Sequence, residues 1–225
     1  MYSHVHAAVY TQQRDTYDCG LACVSMVLKL LRLPAPSLSE LVALAPGRNI
    51  WTIDLLLLLS SLGAPRLVFY TALAGVDPAH AALPYYERAL SAEGERARLA
   101  RAFAAARAQG IAVEERRLPL EHMLARLGCG SHAFLVLVDV ALMRCEACGP
   151  QHSPAELAAF GDDVSTYKGH YVLLLAYDAA AALVTYADPS PRASAARCTV
   201  SLPCLEAARL ARGTDVDTIE IPRPD

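Results

Sequence analysis

The feature that most constrains this chain is the segment QRDTYDCGLACVSMVLKLL, residues 13–31, in which a polar loop passes directly into an apolar helical pattern. Apolar residues recur there at the spacing of one helix face: Leu21, Val24, Leu28 and Leu31. Cys19 stands at the junction, with Asp15 or Asp18 as the candidate helix cap. Because the start of a helix favours negative charge, we expect Cys19 to serve as a thiolate nucleophile.

Two residues late in the chain are candidate partners for this thiol. His170, in YKGHYVLLLAYD, begins a predicted strand, and Asp188, in LVTYADPS, ends the next one. If the turn between them is centred near Ala180, residues whose numbers sum to 360 face each other. His170 and Asp188 are then diagonal neighbours on one face, whereas a turn displaced by half a residue separates them. The pattern predicts that Asp188 orients His170 as the base for Cys19.

A glutamine completes the predicted arrangement. Gln13 stands six residues before Cys19, and its amide could donate to an oxyanion beside the backbone N–H of Cys19, with Gln12 as the alternative donor. Each residue also has an ordinary interpretation, since inert thiols, strand-edge histidines and turn aspartates before proline are common. The combination is rarer, and it predicts a catalytic set composed of Cys19, His170, Asp188 and Gln13.

Helical patterns fill the first half of the chain, and strand patterns dominate the last third. Ser37 and Glu40 predict a capping box for a second helix, and Thr52 is the predicted cap of a third. Further helices are predicted within 77–109 and 119–128, and strands at 66–71, 111–118, 133–140, 170–178, 183–189 and 217–221. This order favours one α+β domain over residues 1–225, with an N-terminal helical half packed on a C-terminal antiparallel sheet and an irregular insertion near 144–168.

The composition excludes several classes of partner. The 225 residues are 54% hydrophobic and carry a net charge of −3, so no basic surface is expected to hold nucleic acid. The most apolar segment, IWTIDLLLLLSSLG, contains Asp54 and is shorter than the ~20 residues that a membrane span needs. The chain begins without an export pattern, and its seven cysteines are an odd number. We therefore expect a soluble protein with reduced thiols, in the cytoplasm or also the nucleus.

Cys145 and Cys148 form a C-x-x-C pair, which is half of a typical zinc site. His152 follows, and Cys129 and His132 precede. Because zinc usually takes four ligands from two such pairs and only one pair is visible, the favoured interpretation is reduced cysteines on a loop. The sequence therefore predicts no metal.

The segments QRDTYDCGLACVSMV, GHYV and ADP resemble the papain-like peptidases that remove double-glycine leaders from bacteriocins. In that family a glutamine six residues before the cysteine donates to the oxyanion, and a histidine and an aspartate complete the triad. The resemblance implies a papain-like cysteine peptidase fold, with Gln13, Cys19, His170 and Asp188 in these roles.

A second resemblance covers nearly the whole chain. The segments YDCGLACVSMVL, NIWTIDLLLLL, GVDP, RCEACG, GHYVLLLAYD and GTDVD are similar to the guanylyl cyclase domain-containing proteins of animals and the related soluble plant guanylyl cyclases. This resemblance implies conversion of GTP to cyclic GMP, for which GTP and a divalent metal would be needed.

Three function classes remain open. The first is a thiol hydrolase that acts, without a cofactor, on an amide, thioester or isopeptide bond of a peptide, protein or small molecule. The second is the cyclase, but Asp162-Asp163 is the only adjacent pair of aspartates, and a Walker-type phosphate loop is absent from the sequence. The third is a non-catalytic binding module. The residues favour the first class, and the sequence specifies neither the substrate nor the oligomeric state.

Overall fold

The computed structural model describes residues 9–81, 83–146, 148–150, 167–191 and 198–224. The helices and strands within these ranges are α1 (Cys19–Leu30), α2 (Leu38–Leu44), α3 (Thr52–Ser61), β1 (Val68–Thr71), α4 (Pro78–Ala81), α5 (Pro84–Leu90), α6 (Glu95–Ala108), β2 (Ala112–Glu115), α7 (Leu120–Gly128), β3 (His132–Asp139), β4 (Arg144–Cys145), β5 (Gly149–Pro150), β6 (Gly169–Asp178), β7 (Leu183–Ala187), β8 (Cys198–Ser201), α8 (Leu202–Arg209) and β9 (Thr218–Pro222). In the described part of the chain, no helix combines the length and the apolar character that crossing a bilayer requires.

Among the described residues, seven strands form one sheet in the order β2-β1-β9-β3-β6-β7-β8, while β4 and β5 pair as a separate hairpin. The last strand, β9, lies between β1 and β3 and so joins the two halves of the chain. The α+β class is therefore confirmed. The prediction of an antiparallel sheet is wrong for one pair, because β1 and β2 run parallel after the chain passes through three helices between them.

The central strands of the sheet are buried on both faces, and β3 shows the pattern. Leu135 and Leu137 pack with the buried residues of α1, α3 and α6. Phe134 and Val136 point the other way and pack with the buried residues of α7 and α8. Strands covered on both faces become almost continuously apolar, as the segment AFLVLV of β3 is. The molecule thus has helices on both sides of the sheet, and not only on the side of its N-terminal half.

Helix α1 packs directly on β6, which fixes the position of Cys19. A Cβ atom on Gly20 would lie 2.8 Å from Leu55 Cδ1 and 3.1 Å from Tyr171 Cδ2. Gly20 therefore permits the close approach of α1, α3 and β6. The Cys23 thiol donates to the Tyr171 carbonyl at 3.4 Å, which adds a polar contact between α1 and β6.

The predicted capping box of α2 is confirmed, because the Ser37 and Glu40 side chains each accept from the backbone of the other residue. The prediction that Thr52 caps α3 is wrong. Trp51 occupies the N-cap position, and its backbone N–H donates to the Asp54 carboxylate at 3.0 Å. The Thr52 hydroxyl is instead hydrogen-bonded to the Tyr171 hydroxyl at 2.9 Å.

Two elements near the end of the chain were not predicted from the sequence. These are β8 and α8, which follow one another without a turn. Of the predicted insertion near 144–168, the hairpin β4–β5 and residues 167–168 are described, whereas residues 147 and 151–166 lie outside the described residues.

Candidate active site

The loop before Cys19 is held by a buried carboxylate. Asp18 accepts hydrogen bonds from the backbone N–H groups of Arg14 and Asp15, at 3.2 Å and 3.0 Å. Its carbonyl accepts from Ala22 N at 2.9 Å, the first hydrogen bond of α1. The sequence suggested that Asp18 could cap the helix with its side chain, but this side chain makes no capping hydrogen bond to α1. It instead folds the loop back and places Cys19 at the helix start.

His170 and Asp188 are in contact across the β6–β7 hairpin. The His170 Nε2–H group donates to Asp188 Oδ1 at 2.8 Å, and Ser190 N–H donates to the same oxygen at 2.8 Å. Two hydrogen bonds to one carboxylate oxygen fix the orientation of Asp188. Since Nε2 is occupied, Nδ1 is the ring nitrogen that remains for the thiol.

The Cys19 thiol lies beside the His170 ring and interacts with it, and the three side chains form one buried group. Their exposed fractions are 7% for Cys19, 8% for His170 and 2% for Asp188. Burial lowers the pKa of His170, but the hydrogen bonds with Asp188 and Cys19 and their negative charges outweigh it and raise this pKa to about 10. The His170 ring therefore holds its second proton at neutral pH.

Gln13 lies on the loop that faces this group. Its backbone N–H donates to the Pro189 carbonyl at 2.8 Å, so the loop is joined to the residue after Asp188. Its side-chain Nε2 donates to the Asp15 carbonyl at 2.7 Å, which uses one of the two amide N–H bonds and leaves the other available. Gln12, the alternative oxyanion donor, is exposed.

A cavity of about 380 Å³ opens beside Cys19. One wall is a stack of aromatic rings, in which the Tyr86 centroid lies 5.4 Å from that of Trp51 and 5.7 Å from that of Tyr167. The Trp51 indole N–H donates to the Glu95 carboxylate at 2.7 Å, so the ring is held in place. The arrangement gives Cys19 a partly apolar recess in which part of a substrate can bind.

Two carboxylates of the loop before β9 also line the cavity. Asp217 is buried, and its Oδ1 has no hydrogen-bond partner among the described residues. Burial and the nearby charge of Asp215 raise the pKa of Asp217 to about 8, although the hydroxyls of Thr52 and Thr71 act in the opposite direction. Both aspartates belong to the segment GTDVD, which is one of the segments that carry the second resemblance. The sequence alone predicts no role for them.

Asp215 also contributes to a group of potential metal ligands. One ligand atom each from Asp77, His80 and Asp215 lies within 4.8 Å of the others, and the His80 ring is hydrogen-bonded to Asp215. Burial raises the pKa of Asp215, and the contact with His80 only partly offsets this. The three side chains are candidate ligands for a divalent cation. The acidic pair Asp162-Asp163 lies outside the described residues.

Comparisons with known proteins identify relatives of this chain. A family model described as guanylylate cyclase matches residues 8–221. A similar curated protein is Guanylyl cyclase 1 of Arabidopsis thaliana, which is 29% identical over 218 residues, covering 97% of this chain and 74% of the relative. No solved structure matches the chain significantly.

Proposed function

The chain belongs to the guanylylate cyclase family, and we propose that it is a papain-like thiol hydrolase whose nucleophile is Cys19. The observation that carries this proposal is the buried group in which Cys19 interacts with His170 and His170 is hydrogen-bonded to Asp188, with Cys19 lining a cavity. A thiol at a helix start, a base and a carboxylate that orients the base are the parts that nucleophilic thiol catalysis needs.

In the proposed mechanism the Cys19 sulfur attacks the carbonyl carbon of an amide, thioester or isopeptide bond. The carbonyl oxygen becomes an oxyanion, which accepts hydrogen bonds from the Cys19 backbone N–H and the remaining amide N–H of Gln13. His170 then gives its proton to the leaving amine or thiol as the carbon–heteroatom bond breaks, and a thioester to Cys19 remains.

Hydrolysis of the acyl intermediate repeats these steps with water. His170 removes a proton from the water as its oxygen attacks the thioester carbon, and the Cys19 sulfur leaves as the acid is released. Asp188 accepts the hydrogen bond from His170 Nε2–H and keeps the imidazole ring in one orientation. Because the pKa of His170 is about 10, its proton is present at neutral pH when the leaving group requires it.

The proposal includes the finer features that the sequence predicts. A single domain over residues 1–225 is supported by β9, which lies inside the sheet between strands from both halves of the chain. A papain-like fold is part of the proposal, consistent with the packing of the Cys19 helix α1 on β6, the strand that carries His170. The substrate is a peptide, a protein or a small molecule with a segment that fits the recess beside Trp51 and Tyr86. A cytoplasmic or also nuclear location stays a prediction.

A second candidate function is the conversion of GTP to cyclic GMP. It is favoured by the description of the family and by the grouping of Asp77, His80 and Asp215 near the cavity, where Arg48 and Arg88 also line the wall. Carboxylates that hold a divalent cation and arginines that contact phosphates are the parts such a reaction uses. This candidate gives no role to the contact between Cys19 and His170.

The decisive experiment compares both reactions in the same preparations. The unmodified protein, Cys19→Ser and the control Cys129→Ser are incubated with a peptide thioester, to measure thiol release, and separately with GTP and Mg²⁺ or Mn²⁺, to measure cyclic GMP. We expect thioester hydrolysis that Cys19→Ser abolishes and Cys129→Ser retains, and no cyclic GMP above a blank. Cyclic GMP that persists in Cys19→Ser and is lost in Asp215→Asn would establish the cyclase instead. Tight peptide binding without turnover in any preparation would favour a binding module.

A further inference from the structure

Three cysteines from two distant parts of the sequence meet at the end of the sheet. Cys145 lies in β4, Cys148 precedes β5, and Cys198 begins the edge strand β8. The hairpin β4–β5 lies against β8, where Glu146 N–H donates to the Thr199 carbonyl at 2.8 Å. The three sulfur atoms consequently all lie within 4.8 Å of one another.

The spacing of these sulfurs fits a tetrahedral metal site. Cys148 Sγ and Cys198 Sγ are 3.8 Å apart. A zinc ion with Zn–S bonds of about 2.3 Å separates two tetrahedral thiolates by about 3.8 Å. The Cys148 backbone N–H donates to Cys145 Sγ at 3.3 Å, and such a donor stabilises negative charge on the sulfur.

The surroundings of the cluster also favour a cation. Cys145 and Cys198 are each only 2% exposed, and Cys148 is half-buried. Three thiolates would repel one another in a medium of this low polarity, and a bound divalent ion compensates that repulsion and makes the thiolate form the stable one.

We propose that Cys145, Cys148 and Cys198 bind one Zn²⁺ ion. Three thiols lose their protons to the solvent when the ion binds, so the site has a net charge of −1, and its fourth position takes a water molecule or another donor. Cys198 supplies the ligand that was missing from the C-x-x-C pair. Cys129, which was considered with that pair, instead contacts Ser131 at 3.1 Å.

The metal would join the hairpin to the strand that borders the proposed active site. Cys198 is paired with Tyr186 in β7, two residues before Asp188. A zinc ion would thus cover the exposed edge of the sheet and hold β8 and β7 in register beside the carboxylate. The role is structural, and it does not depend on the reaction at Cys19.

The test measures bound metal in the full chain. Protein expressed in zinc-supplemented medium and purified under reducing conditions is analysed by elemental mass spectrometry, together with Cys198→Ser and the control Cys129→Ser. We expect about one zinc per chain in the unmodified protein and in Cys129→Ser, and a loss of at least tenfold in Cys198→Ser. Because Cys198→Ser can fail to fold, Co²⁺ is also exchanged into the unmodified protein, where intense visible bands of tetrahedral thiolate coordination are expected.

Several results would overturn the proposal. The first is an unmodified protein that contains no zinc and acquires neither added Zn²⁺ nor Co²⁺ under reducing conditions. The second is a Co²⁺ spectrum with bands typical of octahedral oxygen ligands. The third is zinc that is lost in Cys129→Ser but kept in Cys198→Ser. A disulfide between Cys148 and Cys198 in protein trapped directly from cells would also overturn it, since the sulfurs would then not be thiolates.

Discussion

His170 Nε2 and Asp188 Oδ1 lie 2.8 Å apart because β6 contains one extra residue. Near the turn, Asp178 pairs with Leu183, so the numbers of two facing residues add up to 361. Continued along the hairpin, that register would place His170 and Asp188 on opposite faces. The irregularity between Leu174 and Ala176 shifts the register, and Leu174 pairs with Tyr186, a sum of 360. The bulge thus makes the contact between His170 and Asp188 possible.

The first prediction concerns Asp188→Asn. Because the carboxylate is a main cause of the high pKa of His170, the amide should lower that pKa by at least ~1 unit from its value of about 10. NMR titration of the labelled histidine ring measures the change. Asp178→Asn, at the other end of the same hairpin, is the matched control and should leave the pKa of His170 unchanged. If the His170 titration curve is the same in the unmodified protein, Asp188→Asn and Asp178→Asn, Asp188 does not raise the pKa of His170.

The second prediction tests the oxyanion donor. Gln13→Ala should lower kcat for thioester hydrolysis by about 10²–10³, equivalent to ~2.7–4 kcal/mol in the barrier, with little change in KM. The control is Gln12→Ala, which removes the exposed neighbouring amide and should leave kcat within about twofold. If Gln12→Ala carries the loss instead, the assignment of Gln13 is wrong.

The third prediction uses the raised pKa of Asp217. The folded state binds this proton up to about pH 8, whereas the unfolded chain releases it near the ordinary value of 3.8. The resulting stabilisation is complete below pH 3.8 and is lost as the pH rises through about 8. Asp217→Asn has no such dependence, so it should be more stable than the unmodified protein at pH 8 by about 1–3 kcal/mol.

Urea unfolding of both proteins at pH 5 and pH 8 measures this effect. The difference in unfolding free energy between Asp217→Asn and the unmodified protein should grow toward pH 8. A difference that is the same at both pH values would mean that the folded and unfolded states bind the Asp217 proton equally over this range, so that folding does not raise the pKa of Asp217.

The fourth prediction concerns the packing of α1 on β6. Gly20→Ala should destabilise the fold by about 1–3 kcal/mol, because its Cβ would lie 2.8 Å from Leu55 Cδ1. Gly75→Ala is the control, since a Cβ there meets nothing within 4 Å. Thermal unfolding compares the two variants. Equal melting temperatures would show that α1 does not approach α3 and β6 this closely.

Local patterns in the sequence were enough to locate the elements that carry the candidate site. The polar-to-apolar junction predicts the start of α1 at Cys19, and the capping box at Ser37 predicts α2. The alternating apolar hairpin predicts the strands that carry His170 and Asp188. These features depend on residues a few positions apart, so they can be read along the chain.

Features that depend on long-range packing could not be predicted. The bulge in β6 is a property of the pairing and not of any single residue. Cys198 approaches Cys145 only because β8 joins the sheet beside β7, and Asp217 enters the cavity only because β9 lies between β1 and β3. The crowding of Gly20 comes from the side chains of Leu55 and Tyr171, which are distant from it in sequence.

The most direct test of the account is the rate at which iodoacetamide alkylates Cys19 at pH 7, followed by peptide mass spectrometry in the unmodified protein and in His170→Gln. Cys129, which is exposed and outside the candidate site, provides the internal reference in each sample. We expect alkylation of Cys19 to slow at least tenfold in His170→Gln while the rate at Cys129 stays constant. A Cys19 that is not alkylated in the folded protein, or that reacts equally fast in both proteins, would contradict the claim that His170 activates this thiol.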